Sequence, residues 1–162
     1  MIPIYAPKAR AREYGDLAIN IYTGCNHGCT YCFAPRVKHQ SLEDFQQVQP
    51  RAGIVEAVKD QLYRQKITGK LIHLCFTCDP YPADIDTTPT REIIEAIKTS
   101  GNHVQILTKG GYRAIRDFDL LDNNDYFGVT ITGFGKWSEE NEPKAAPGTA
   151  RLSTLAVAQA NI

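Results

Sequence analysis

Methionine and tryptophan are nearly absent from this chain, with one of each in 162 residues. No apolar run approaches the ~18 residues that a membrane span requires. The N-terminus lacks the charged, apolar and small-residue succession of an export signal. The chain therefore reads as cytoplasmic, with no membrane contact. Net charge is missing as well, since 18 Lys and Arg face 18 Asp and Glu. Coating a polyanion by counterion release needs a clear cationic excess, which excludes a histone-like role. The balance hides an asymmetry: residues 1–70 carry ten basic and six acidic side chains, and residues 71–162 carry eight and twelve. No G-x-G-x-x-G follows the first apolar run and no Walker loop is present, so neither nucleotide fingerprint is available. A disulfide framework is excluded too, because five cysteines in a reducing compartment point to metal or redox chemistry.

What remains is an alternation. Residues 1–16 form a basic, Tyr-bearing N-terminal arm around Lys8, Arg10 and Arg12. Short runs of strand formers stand at 17–22, 71–76, 103–108 and 126–132. Helical periodicity covers 51–66, with Ile54, Val55, Val58 and Leu62 on one stripe. A second helix begins at Thr88 as its cap, with Pro89 at the first helical position, and closes at Gly101. Residues 112–121 predict a third helix and 150–160 a fourth, with a polar loop at 133–148 between them. Strand and helix in strict turn imply parallel strands with right-handed crossovers. The core is therefore residues 17–162, with about four βα units. A full barrel of eight units takes about 250 residues, so the chain reads as part of a longer barrel. Each unusual segment follows a strand: 25–32, 77–82, 109–111 and 130–133. Active sites of α/β folds sit at that edge, which points to an enzyme.

The strongest signal is Cys25, Cys29 and Cys32, at C-x-x-x-C-x-x-C spacing directly after the first strand. Three thiolates can hold a [4Fe–4S] cluster and leave one iron open to a substrate, where four would close it. The alternative is zinc, with His27 or His39 completing a Cys₃His set. His27 itself reads as a solvent-facing loop residue. Cys75 reads as a buried strand residue, and Cys78 lies in the loop beyond it.

The segment Ile21-Tyr22-Thr23-Gly24-Cys25-Asn26-His27-Gly28-Cys29-Thr30-Tyr31-Cys32-Phe33-Ala34-Pro35-Arg36 resembles the spore photoproduct lyase-like branch of the radical S-adenosylmethionine (SAM) superfamily. Thr77-Cys78-Asp79-Pro80-Tyr81 and Leu107-Thr108-Lys109-Gly110 extend the similarity. The resemblance implies a partial (β/α)₆ TIM-like barrel holding a [4Fe–4S] cluster on the three cysteines, with SAM bound beside it. It implies reductive cleavage of SAM to a 5′-deoxyadenosyl radical that abstracts hydrogen from a substrate. Tyr31 and Phe33 would bind cofactor at the adenine side. Asp79 would receive the SAM ammonium and Lys109 its carboxylate, with Thr130 and Thr132 at the barrel mouth. An electron donor such as flavodoxin or ferredoxin is implied as partner, and nucleic acid is the candidate substrate class. The branch's hydrogen-donating Cys falls on Phe76 here, which argues against photolesion repair and leaves Cys78 as the catalytic candidate. The competing reading is a non-catalytic zinc- or cluster-binding module with a nucleic-acid partner.

Overall fold

A computed structural model describes residues 2–162. Four parallel strands, β1 (Leu17–Ile19), β2 (Leu71–Leu74), β3 (His103–Thr108) and β4 (Tyr126–Val129), lie side by side in chain order. Leu17 pairs with Ile72, Ile72 with Val104, and Ile106 with Phe127. The expected partial barrel with four βα units is therefore present. The strands are shorter than their apolar runs. Beyond Ile19, Leu74 and Val129 the chain turns into rim loops, although Ile21, Tyr22 and Cys75 stay buried.

Crossover helices cover one face of the sheet. α1 (Ala34–Lys38), α2 (Leu42–Gln46) and α3 (Ile54–Arg64) follow β1, and α4 (Thr88–Thr99) follows β2. Strand β3 alternates strictly, with Val104, Ile106 and Thr108 buried and the residues between them half-buried. Val104 and Ile106 join Ile72 and Leu74 in one core with Val58 and Leu62 of α3 and Ile93, Ile94 and Ile97 of α4. The helical stripe and the strand's period of two thus meet on the same apolar layer. The opposite face carries His73 on β2 and Gln105 on β3, hydrogen-bonded at 3.1 Å.

Three local expectations change. The first residue of α4 is Thr88, and the residue ahead of the helix is Thr87; the Thr88 N–H donates instead to Asp86 Oδ1 at 2.9 Å. Residues Gly111–Leu120 form a 3₁₀ helix rather than an α-helix. The loop at 133–148 contains α5 (Gly135–Asn141) and leads into α6 (Gly148–Asn161). The segment read as a basic arm is tied into the fold. Tyr5 makes an antiparallel bridge with Ala18 on the outer edge of β1, and Ile4 is buried. Gln61 of α3 clasps the Ile4 backbone through both its amide atoms, at 2.9 and 2.8 Å. No helix among the described residues is long and apolar enough to cross a membrane.

Candidate active site at the strand C-termini

The Cys25–Cys32 loop leaves β1 and is fastened from three sides. The Cys25 N–H donates to Phe45 O of α2 at 3.0 Å. Asn26 exchanges two hydrogen bonds with the Ala83 backbone, at 2.6 and 2.9 Å. The Thr30 N–H donates to Asn141 O, and the Lys144 N–H donates to His27 O. His27 is not solvent-facing but 1% exposed, with Nε2 3.3 Å from Tyr81 O and Nδ1 3.7 Å from Asp79 Oδ2. Burial pushes its pKa down despite the neighbouring carboxylate. The loop therefore folds inward on a ring that serves as a structural tie.

The segment after β2 is fixed as firmly. Tyr81 is fully buried and its hydroxyl donates to Asp117 Oδ2 at 3.0 Å, while Thr90 Oγ1 donates to Pro80 O at 2.7 Å. Asp79 Oδ1 accepts from the Tyr81 N–H and from Thr108 Oγ1, at 2.8 and 2.6 Å. Its Oδ2 accepts from the Lys109 N–H at 2.8 Å. Three of about four lone-pair sites on that carboxylate are thereby engaged by the chain itself. Asn20 Oδ1 accepts from the Phe76 and Thr77 N–H groups, both at 2.9 Å, and lies 4.0 Å from Cys78 Sγ. Cys75 is buried at φ +71°, a left-handed backbone rare for a residue with a side chain.

These loops enclose a common space. Cys25, Cys29, Cys32, Cys78, Asp79 and Lys109 all line a cavity of about 100 Å³. An adjoining cavity of about 410 Å³ opens on the barrel side, lined by Phe33, Phe76, Cys78, Lys109 and Thr130 among others, with Arg10 at its edge. Five of the expected site residues besides the cysteines of the C-x-x-x-C-x-x-C motif line the two cavities, Phe33, Cys78, Asp79, Lys109 and Thr130, and Tyr31 stands outside them against Lys109.

Thr132 joins them through a network at the rim. Lys109 Nζ is 2.8 Å from Tyr31 Oη, 3.2 Å from Glu142 Oε1 and 3.9 Å from Cys29 Sγ. Thr132 Oγ1 donates to Glu142 Oε1 at 2.6 Å and lies 3.1 Å from Tyr31 Oη. The Tyr31 hydroxyl donates to the same Oε1. Arg151 of α6, fully buried, donates from Nη2 to Glu142 Oε2 at 2.5 Å. Burial alone would raise the Glu142 pKa, but Arg151, Thr132, Tyr31 and Lys109 outweigh it and hold it at about 2. For Lys109, burial opposes the charge, yet Tyr31, Cys29 and Glu142 keep its pKa above the usual lysine value.

Glu142 and Arg151 were not singled out by sequence reading. Arg151 did leave a trace, as the one charged residue within Gly148–Asn161. Glu142 sits beside Pro143 in a segment read as a polar loop, where nothing marks it.

The depressed Glu142 pKa has a measurable consequence. The folded value lies below the ordinary 4.5, so the stabilisation is complete above pH 4.5 and is lost as pH falls toward 2. Urea midpoints should therefore drop across that window. Glu142→Gln should flatten that part of the profile, and an unchanged slope in the variant would rule Glu142 out as its source.

Among the described residues, His103, Asp122 and Asp125 form the group of three ligand atoms within 4.8 Å, and no group from the cysteine loop is so close. That trio lies at the far end of β3, and Lys98 already bridges its two carboxylates. The three thiols line one cavity. Burial raises the Cys25 and Cys29 pKa values, so metal binding there must displace protons.

The family model described as the radical SAM superfamily matches residues 19–136, from the end of β1 through the start of α5. This chain belongs to the radical SAM superfamily. Its relatives include an uncharacterised protein of Mycobacterium tuberculosis, 34% identical over 111 residues, covering 64% of this chain and 32% of the relative. Another, from Methanocaldococcus jannaschii, is 28% identical over 157 residues, covering 94% of this chain and 58% of its own. The chain thus spans about a third of the mycobacterial relative's length. Spore photoproduct lyase, solved as a variant with bound AdoMet and dinucleoside spore photoproduct, shares the fold with a TM-score of 0.69 at 18% identity. That match covers 98% of this radical SAM chain and 46% of the lyase.

Proposed function

We propose that this radical SAM protein holds a [4Fe–4S] cluster on Cys25, Cys29 and Cys32 and binds SAM beside it. The cluster and SAM, when bound, supply a one-electron cleavage that yields methionine and a 5′-deoxyadenosyl radical, which removes hydrogen from a substrate. The observation that carries this reading is the convergence of three free thiols, Asp79 and Lys109 on one cavity at the strand C-termini.

The chain's own residues have separable tasks. Lys109 offers a fixed cation to the SAM carboxylate, within reach of the cysteine loop. Asp79 keeps one acceptor site for the ammonium while its other contacts hold the rims of β2 and β3 together. Phe33, 60% exposed, presents a ring face for the adenine, beside Tyr31, whose own ring stacks on Trp137. Thr130 and Thr132 complete the mouth, the latter through Glu142. Cys78 lines both cavities, which supports its giving the thiol hydrogen atom to a substrate radical; the thiyl radical left behind regains one electron and one proton through the external donor. The aromatic wall formed by Tyr14, His73 and Phe76, with ring centroids 4.2–5.8 Å apart, favours a planar substrate such as a nucleobase. Arg10 at the cavity edge suits a phosphate. An external one-electron donor of the flavodoxin or ferredoxin type completes the scheme, and the reaction is cytoplasmic. The domain reading is a radical SAM core at 17–162 preceded by the basic segment 1–16.

Anaerobic reconstitution tests the proposal. Cys25→Ala, Cys29→Ala and Cys32→Ala should each abolish iron loading and the associated brown colour, whereas Cys75→Ala and Cys78→Ala should retain both. Reduced, loaded protein incubated with SAM should release 5′-deoxyadenosine, and Cys78→Ala should still do so. Stoichiometric zinc binding with no colour would favour the non-catalytic module instead.

A further inference from the structure

Glu142 is 2% exposed and joins five parts of the molecule. Oε1 takes Tyr31 from the cysteine loop, Lys109 from the end of β3 and Thr132 from the end of β4. Oε2 faces Ser138 of α5 at 3.4 Å and Arg151 of α6 at 2.5 Å. Arg151 is itself immobilised, since Nε donates to Ala146 O at 2.6 Å and Nη1 to Thr130 O at 2.8 Å. One oxygen is therefore fixed to the scaffold, and the other is turned toward Lys109, which lines both cavities, and toward Tyr31 and Thr132 beside it. Two cations share this single carboxylate, so a surplus positive charge remains 3.9 Å from Cys29 Sγ.

We propose that Glu142 is a positioning residue: anchored by Arg151, it holds the Tyr31 ring and the Lys109 ammonium at the mouth of the cysteine loop in the geometry that receives SAM. The inference rests on the cofactor reading above, but its first readout does not. Neutralising Arg151 requires only a negative charge nearby. Positioning Tyr31 and Lys109 requires an oxygen at this reach. Glu142→Asp separates the two, because it keeps the charge opposite Arg151 and withdraws the oxygens by one methylene.

Trp137 is the single tryptophan and stacks on Tyr31, with centroids 6.0 Å apart and planes at 25°. It reports on the Tyr31 ring in metal-free protein. Glu142→Asp and Glu142→Gln should both change the near-ultraviolet dichroism and emission of Trp137 while far-ultraviolet dichroism stays at the wild-type level. In cluster-loaded protein both should bind SAM about tenfold more weakly, the equivalent of one charge-assisted contact, at unchanged iron content. Glu142→Asp folds even where Glu142→Gln does not, because Arg151 keeps a counter-charge, so the aspartate variant alone decides the matter. A wild-type Trp137 signal or wild-type SAM affinity in Glu142→Asp overturns the proposal, since positioning requires both to move. If loaded wild-type protein binds no SAM, the cofactor reading fails, and the Trp137 comparison still decides whether Glu142 places Tyr31.

Discussion

Replacing Arg151 with Met is expected to lower the unfolding free energy by about 3–5 kcal/mol, as breaking a buried ion pair from one side does. The guanidinium is fully buried and leaves Glu142 with its strongest contact gone, while the carbonyls of Ala146 and Thr130 lose their donors. An unsatisfied buried acceptor costs about 1–3 kcal/mol by itself. Met fills similar volume, so the effect reads as lost polar contacts rather than a cavity. The double variant Arg151→Met, Glu142→Gln should recover part of the loss by removing the stranded carboxylate. Equilibrium denaturation of all three variants measures this directly. A single variant within about 1 kcal/mol of wild type would show that Lys109 alone suffices for Glu142.

Gly24→Ala is expected to abolish iron loading while sparing all three cysteines. A Cβ on Gly24 would stand 1.9 Å from Phe45 O and 2.9 Å from its carbonyl carbon, both backbone atoms that no side-chain rotation can move. The same carbonyl accepts the Cys25 N–H, so relieving the clash separates the first cysteine from α2. The penalty is about 3 kcal/mol, at the upper end for overpacking. Iron content and Tm after anaerobic reconstitution check it. Full loading with an unshifted Tm would mean that the loop does not need this approach.

The legible part of the molecule was what repeats or clusters locally. Four strand runs separated by helical stripes sufficed for parallel order, because a crossover of that length cannot close a hairpin. The cysteine motif is contained in eight residues and needs no tertiary partner to be recognised. Glu142 was hidden because its meaning lies in contacts remote in sequence, as with Tyr31 at a separation of 111 residues. His27 was misread for a related reason: imidazole alone says nothing about burial, which here comes from Tyr81 and Asp79 beyond β2. The segment Gly111–Leu120 has helical composition, yet Gly111, Ala114 and Asp117 are buried at intervals of three. A 3₁₀ turn stacks those positions in one row, and the ion pairs from Arg91 and Arg116 to Asp117 reward it.

The strict chain order of the sheet has a consequence for synthesis. Every strand after β1 pairs with the one that left the ribosome immediately before it. The outer edge of β1 is bridged by Tyr5, which emerges earlier still. Each new βα unit therefore meets a finished template and never has to displace a later one, so assembly proceeds vectorially from the N-terminus. The cysteine loop follows the first strand, but the groups that border it arrive with the second, third and last units. The three thiols are thus translated long before Lys109, Glu142 and Arg151 can enclose them, and metal delivered during synthesis would meet a loop still open on that side.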